Sequence, residues 1–333
     1  MSRLSNSRGF LLTLKTGRED GGLIECTAQA VGGAGGAYEE ETTTRRPNPY
    51  DPPYLNQPSS EIDSAEHGGP PGPLTTTCPC GMANKKISKI VGGKETEINE
   101  FPFAVMLVLR GSYSPFCGGS IISRQHVLTA AHCVIKYIQH GITVIAGDHD
   151  YTDDRETDAR LVVDVRQVIM HSEYPSRSEY DIALLVLDSP LQYNKYIAPV
   201  CLPHRQLNLE GQYLKALGWG RTSPHGRGSS FLKKVNVRAL SLSVCQDYAG
   251  VERTERHQIC TYSKMKGLGK GDSGGPVIWL NKDTNRYTLV GLPSYVFFYD
   301  GNEHILPDVS TDVSSFLPWI HQNMRSNRFR LYI

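Results

Sequence analysis

The chain has no apolar run long enough to span a bilayer. Its longest, Phe103-Ala-Val-Met-Leu-Val-Leu109 and Ile182-Ala-Leu-Leu-Val-Leu187, fall far short of the roughly 18 residues required, so a membrane-spanning helix is excluded. It has no excess of either charge: 35 Lys and Arg stand against 34 Asp and Glu, a formal net charge of +1. A polybasic nucleic-acid or membrane-surface protein is therefore not expected. A secretory leader is missing as well. After Arg3 and Arg8 the only apolar stretch is Phe10-Leu-Leu-Thr-Leu14, and Lys15 ends it too early for an h-region. No Asn-x-Ser/Thr sequon occurs. Paired zinc-ligand spacing is absent too, because Cys78-Pro-Cys80 is too tight and no second Cys or His pair stands near it.

The chain does have length and cysteines. Its 333 residues exceed the needs of one ordinary core, which predicts a large domain with an appendage, or two domains. Eight cysteines, at 26, 78, 80, 117, 133, 201, 245 and 260, suit a disulfide framework formed in an oxidising compartment. With no leader in front of them, the expectation is a secreted, extracellular protein whose given start is incomplete.

Residues 27–89 are dominated by Gly, Pro, Glu, Ser and Thr, as in Gly32-Gly-Ala-Gly-Gly36 and Gly68-Gly-Pro-Pro-Gly-Pro73. Such a composition cannot bury enough area to offset chain entropy, so a disordered linker is expected. Before it, 9–16 and 22–31 read as two strands of a hairpin around Gly17-Arg-Glu-Asp-Gly21, similar to the closing strands of a CUB-like module. From Ile90 onward the pattern changes to short Val/Ile/Leu/Tyr-rich runs over 102–110, 119–122, 142–146, 161–170, 182–187, 212–218, 275–280 and 288–292. Turn residues punctuate them, the rhythm of an all-β sandwich or barrel. The end differs: Ser314-Ser-Phe-Leu-Pro-Trp-Ile-His-Gln-Asn-Met324 pairs Ser cap candidates with apolar residues at helical spacing, which predicts a C-terminal helix.

Three short motifs carry chemistry together. Thr129-Ala-Ala-His132-Cys133 offers an imidazole, Asp181-Ile-Ala-Leu-Leu185 a carboxylate at the mouth of an apolar strand, and Gly271-Asp272-Ser273-Gly274-Gly275-Pro276 a serine between glycines. Flanking glycines let backbone N–H groups approach a reacting atom closely. General base, orienting carboxylate and nucleophile are then all present.

With Ile90-Val-Gly-Gly93, Cys117-Gly-Gly-Ser120, Gly218-Trp-Gly220 and Phe316-Leu-Pro-Trp-Ile320 in the same order, the chain resembles the chymotrypsin-like (trypsin-fold, S1) serine endopeptidases from Ile90 to about Asn327. The resemblance implies two antiparallel six-stranded β-barrels with a C-terminal helix, a protease domain over 90–327 and a pro-segment and linker over 1–89. It implies Ser273 as nucleophile, His132 as general base, Asp181 as its orienter, and the N–H groups of Gly271 and Ser273 as the oxyanion hole. It further implies zymogen cleavage between Lys89 and Ile90, after which the Ile90 amine pairs with Asp272. Implied disulfides are Cys117–Cys133, Cys245–Cys260 and Cys80–Cys201, with Cys26–Cys78 by exclusion. Implied partners are protein or peptide substrates, a trypsin-like activating protease and protein protease inhibitors.

Some positions depart from the family pattern. The cysteine usual four residues before the nucleophile is Gly269, and no cysteine lies between Ser294 and Pro307, so one loop-constraining disulfide is lost at both ends. In the substrate pocket Gly267 stands where trypsin-like relatives carry aspartate, Val296 follows Ser294 and Tyr295 where glycine is usual, and Asp308 replaces glycine. Gly267 and Val296 point to apolar or broad specificity, Asp308 to Lys-directed cleavage, and both stay open. No cofactor is required, although Asp148, Asp150, Asp153 and Asp158 fall where some relatives bind calcium, with Arg155 among them. A non-catalytic homologue acting as a binding module is the alternative. A lipase or esterase is set aside, because Gly271-Asp-Ser-Gly-Gly275 lacks the strand-to-helix elbow of the Gly-x-Ser-x-Gly motif and the chain order Ser, Asp, His is reversed.

Overall fold

The computed structural model describes residues 12–13, 27–30, 74–76, 78–84, 94–221, 228–249, 257–263, 267–296 and 307–326. At the N-terminal end β1 (Leu12–Thr13), β2 (Thr27–Ala30) and β3 (Leu74–Thr76) form an antiparallel sheet in that order. Leu12 lies opposite Ala28, and Gln29 opposite Thr75. The hairpin expected over 9–16 and 22–31 is thus described only in part, and it gains a third strand from the far end of the Gly- and Pro-rich stretch. Within the stretch read as a linker over 27–89 these short pairings form because backbone pairing needs no bulky apolar side chain, and 31–73, 77 and 85–89 lie outside the described residues.

A second part of that stretch is also held. Gly81 N–H donates to Pro199 O and Gly81 O accepts from Tyr287 N–H, both at 2.8 Å, while Asn84 N–H donates to Glu100 O at 2.8 Å. The Asn84 side-chain amide adds bonds to the carbonyls of Asn99 and Lys195. Gly81 is in the left-handed region at φ +67°, and a Cβ there would come within 2.2 Å of Tyr287 O. Only glycine fits so close an approach. The Cys80–Cys201 disulfide fastens the same turn.

The body of the chain begins with β4 (Lys94–Glu95), followed by β5 (Ala104–Leu109), β6 (Cys117–Ser123), β7 (His126–Thr129), a one-turn helix α1 (Ala131–Val134), β8 (Ile142–Ala146), β9 (Leu161–Met170) and β10 (Ala183–Leu187). These strands, β4 apart, close into a six-stranded antiparallel barrel in the order β10-β7-β6-β5-β8-β9. β5, β6, β8 and β10 are almost wholly buried, which is why they read in the sequence as continuous apolar runs.

The second barrel uses β11 (Tyr213–Gly218), β12 (Lys233–Leu240), helix α2 (Leu242–Ala249), β13 (Gln258–Tyr262), β14 (Val277–Asn281), β15 (Arg286–Tyr295) and β16 (Asp308–Asp312). The order β11-β14-β15-β16-β13-β12 closes through β11–β12 pairing, and β4 lies on the free edge of β12 with Glu95 opposite Lys233. Half-buried Lys234 pairs with Oε1 of buried Glu100 at 2.8 Å and fixes the segment after β4.

Helix α3 (Leu317–Ser326) follows a 3₁₀ turn, Val313–Phe316. The cap is Asp312, not a serine: its carboxylate accepts Ser314 N–H at 2.9 Å and the hydroxyls of Ser314 and Ser315 at 2.7 and 2.9 Å. A carboxylate offers more acceptor sites than a hydroxyl, and burial raises its pKa against those bonds. Phe316, Ile320 and Met324 of this region join one buried cluster with the first barrel's Leu107, Leu128 and Ile145 and with Tyr287 and Leu289 of the second. Leu214, Val237, Ile259, Leu268 and Val290 form the second barrel's own interior. The core therefore runs continuously across the seam between the barrels.

Candidate active site

Strand register creates the first half of the site. In the antiparallel β7–β10 pair Thr129 lies opposite Ala183, so the residues leaving β7 face those entering β10. That sets His132, in α1, beside Asp181. The His132 N–H donates to Asp181 Oδ1 at 2.8 Å and its Nδ1 to Oδ2 at 2.7 Å. With the proton assigned to Nδ1 by this bond, Nε2 is left as an acceptor. The Asp181 side chain is only 3% exposed. Its charge is met further by Ser294 Oγ, which donates to Oδ2 at 2.5 Å, while Thr311 Oγ1 donates to the Asp181 carbonyl at 2.8 Å. Both hydroxyls come from the second barrel.

Ser273 lies in the loop before β14, gripped from both barrels. Gly118 N–H donates to Ser273 O, and Gly274 N–H to Pro293 O, each at 2.9 Å. Gly271 and Gly274 have φ +109° and +69°, and a Cβ on Gly274 would meet Thr129 Oγ1 at 2.1 Å and Ala130 N at 2.8 Å. Glycine thus brings the serine loop against the β7–α1 junction that carries His132. Among the described residues the N–H groups of Gly271 and Ser273 have no protein partner. Two unspent donors beside a hydroxyl can hold a developing oxyanion. Ser273 Oγ and His132 Nε2 are not hydrogen-bonded; Nε2 stands 3.7 Å from Cys133 Sγ. Such a link is commonly open without substrate.

Cys117, His132 and Cys133 have ligand atoms close enough for a metal. Their sulfurs are joined in the Cys117–Cys133 disulfide, so no thiolate is available. Cys245–Cys260 is likewise formed, Cys78 is disulfide-bonded to a residue outside the described ones, and no described cysteine is free.

Asp272 Oδ1 accepts Gly220 N–H at 2.7 Å and Oδ2 accepts Gly269 N–H at 2.8 Å. This seat explains the Gly218-Trp-Gly220 motif: a Cβ on Gly218 would fall 2.0 Å from Asp272 Oδ1, and one on Gly220 2.5 Å from it. Lys89 and Ile90 lie outside the described residues. Gly269, where relatives carry cysteine, has no room for a side chain either, with Arg221 O 2.1 Å from the site of its Cβ.

Of the residues read as a substrate pocket, Gly267 precedes Leu268, which meets Asp308. Asp308 is 3% exposed and its Oδ2 accepts Leu268 N–H at 3.1 Å. Leu268, which sequence reasoning missed, packs in the second barrel's interior with Val296 against the same cluster. Its signal was available: an apolar residue beside Gly267 in an otherwise polar loop.

The expected calcium ligands do not converge. Asp148 pairs with Arg160 Nε at 3.3 Å, Asp150 accepts the Thr152 N–H and hydroxyl at 3.1 and 2.7 Å, Asp153 accepts Arg155 N–H at 3.0 Å, and Asp158 is exposed. A guanidinium on the most buried carboxylate repels a second cation there, so these residues do not fit calcium.

Paired six-stranded barrels with Ser, His and Asp gathered at their seam define a chymotrypsin-like serine protease. The Trypsin family model matches residues 90–320, and the chain belongs to that family. Similar proteins include a venom serine protease of Polistes dominula, 36% identical over 73% of this chain and 87% of that protein. Venom serine protease 34 of Apis mellifera is 35% identical over 74% of this chain and 60% of that protein. Coagulation factor IX of Cavia porcellus is 32% identical over 69% of this chain and 80% of that protein. Serine protease filzig of Drosophila melanogaster matches over 88% of this chain but only 17% of its own length. Members of the family act on peptide bonds and need no cofactor. Among the described residues no helix is long and apolar enough to cross a membrane.

Proposed function

We propose that the chain is a secreted serine endopeptidase zymogen with a pro-segment over 1–89 and a protease domain over 90–327. The observation that carries this reading is the two-point grip of Asp181 on His132 beside the glycine-framed Ser273. Ser273 Oγ attacks the scissile carbonyl carbon while His132 Nε2 takes its proton, and the N–H groups of Gly271 and Ser273 hold the oxyanion. His132 then gives the proton to the leaving amine as the C–N bond breaks. Water attacks the acyl-enzyme, passes a proton to His132, and the proton returns to Ser273 Oγ as the acid leaves.

Cleavage after Lys89 by a trypsin-like protease frees the Ile90 amine for Asp272. Asp272 spans Gly220 and Gly269, so its pairing bears directly on the loop carrying Gly271. The docked Cys80–Asn84 turn and the Cys80–Cys201 bridge keep the pro-segment attached afterwards. Pocket chemistry favours apolar or broad specificity over Lys-directed cleavage: Leu268 and Val296 line an apolar region, and Asp308 already accepts one internal N–H.

The test is labelling by a serine-reactive fluorophosphonate. Protein cut after Lys89 takes the label at Ser273, and Ser273→Ala does not. Cut protein that binds peptides yet stays unlabelled would make the chain a non-catalytic binding module instead.

A further inference from the structure

The loop 147–160 is held by a cation that belongs to the chain. Arg160, its side chain 11% exposed, lies 3.3 Å from Asp148, which is 3% exposed, and its guanidinium lies 5.3 Å from the Tyr113 ring. One turn away, buried His149 places Nδ1 2.9 Å from Glu156 Oε1 and Nε2 2.9 Å from Thr96 O. The second Glu156 oxygen accepts Asp150 N–H at 3.0 Å. Both oxygens of Glu156 are thereby used inside the loop. Asp148 Oδ2 and Arg160 Nη2 are buried without an aligned hydrogen bond, so their pair acts through charge rather than a directed bond.

We propose that Arg160 takes the place of a bound divalent cation in this loop, gathering Asp148 as a metal would, and that the fold needs no calcium there. The loop's order reaches the active-site region by short steps. His149 O accepts the Trp219 indole N–H at 2.9 Å and Leu232 N–H at 3.0 Å, and the residue after Trp219, Gly220, gives its N–H to Asp272. Arg160 is thus a positioning residue, remote from the reacting atoms.

The test is thermal unfolding and amide hydrogen exchange on the full chain, read in excess chelator and in millimolar calcium. The wild-type midpoint is the same in both. Arg160→Gln lowers it by several degrees in either buffer and speeds exchange at the Asp150 and Leu232 amides, while Arg160→Lys, which keeps the charge, stays near wild type. A wild-type midpoint that rises with calcium would overturn the proposal. So would an Arg160→Gln protein as stable and as protected as wild type, or an Arg160→Lys protein as unstable as Arg160→Gln, which would reduce the side chain to packing.

Discussion

His126 begins β7 with its side chain buried, where Nδ1 meets Ser123 Oγ at 2.7 Å. Burial, helped by Arg166, pushes its pKa down from 6.5 to about 4. The unfolded chain therefore binds a proton at a pH where the folded one does not. Stability from this group is full above pH 6.5 and is lost as pH falls towards 4, a difference of about 3 kcal/mol. Chemical denaturation at pH 7 and again between pH 5 and 4 is expected to show that drop, and a His126→Asn variant a shallower one. A second prediction concerns Gly218. Alanine there would put its Cβ on the Asp272 carboxylate and so disturb the oxyanion loop. Cut Gly218→Ala protein is expected to lose about 10²-fold in kcat/KM, on the scale of one missing oxyanion donor. Undiminished turnover would show that the loop tolerates a displaced Asp272.

At the scale of elements, the strands over 142–146 and 161–170 were legible because their apolar content is local and bounded by turn residues. β16, Asp308-Val-Ser-Thr-Asp312, was not: it is buried throughout but mostly polar, so hydrophobic periodicity has nothing to detect. β12 carries the period-2 alternation of a half-buried strand, Val235, Val237 and Ala239 against Lys234, Asn236 and Arg238, but no continuous apolar run marks it. Motif residues named His132, Asp181 and Ser273, but not the reason Gly218 and Gly220 must lack side chains, nor Arg160, whose partner Asp148 lies twelve positions earlier by their numbering. The docked Cys80–Asn84 turn supports a third prediction. The Cys80–Cys201 bridge spans 121 residues, a closure worth about 5 kcal/mol in an uncut chain on the loop-entropy model. Cleavage after Lys89 opens that loop and turns the bridge into a link between two chains. Mass mapping without reductant should find the segment before Ile90 still joined to the protease domain, whereas a Cys80→Ser, Cys201→Ser protein should shed it.

Over the whole molecule, activity is expected to require the cut. Intact chain should turn over peptide substrates at least about 10²-fold more slowly than protein cleaved after Lys89, the scale of a misplaced oxyanion donor. Asp272→Ala should remain slow after cleavage. Equal rates for cut and uncut protein would remove the switch. Specificity belongs to this scale as well, since the residues proposed for the pocket, Gly267, Ser294, Val296 and Asp308, come from the loop before β14, the end of β15 and the start of β16. Profiling on a peptide library is expected to show apolar or broad preference. Strict cleavage after Lys and Arg that disappears in Asp308→Gly would assign the pocket floor to that carboxylate.

The hydroxyls of Ser294 and Thr311 hold Asp181 from across the seam, and this makes the first barrel chemically mute by itself. While a chain is still emerging, or when one half has come apart, Asp181 lacks those two hydroxyl donors and the serine loop lacks one of its two walls. On the proposed reading, a half-folded copy is therefore expected not to digest its neighbours, and proteolytic competence would belong to the completed fold.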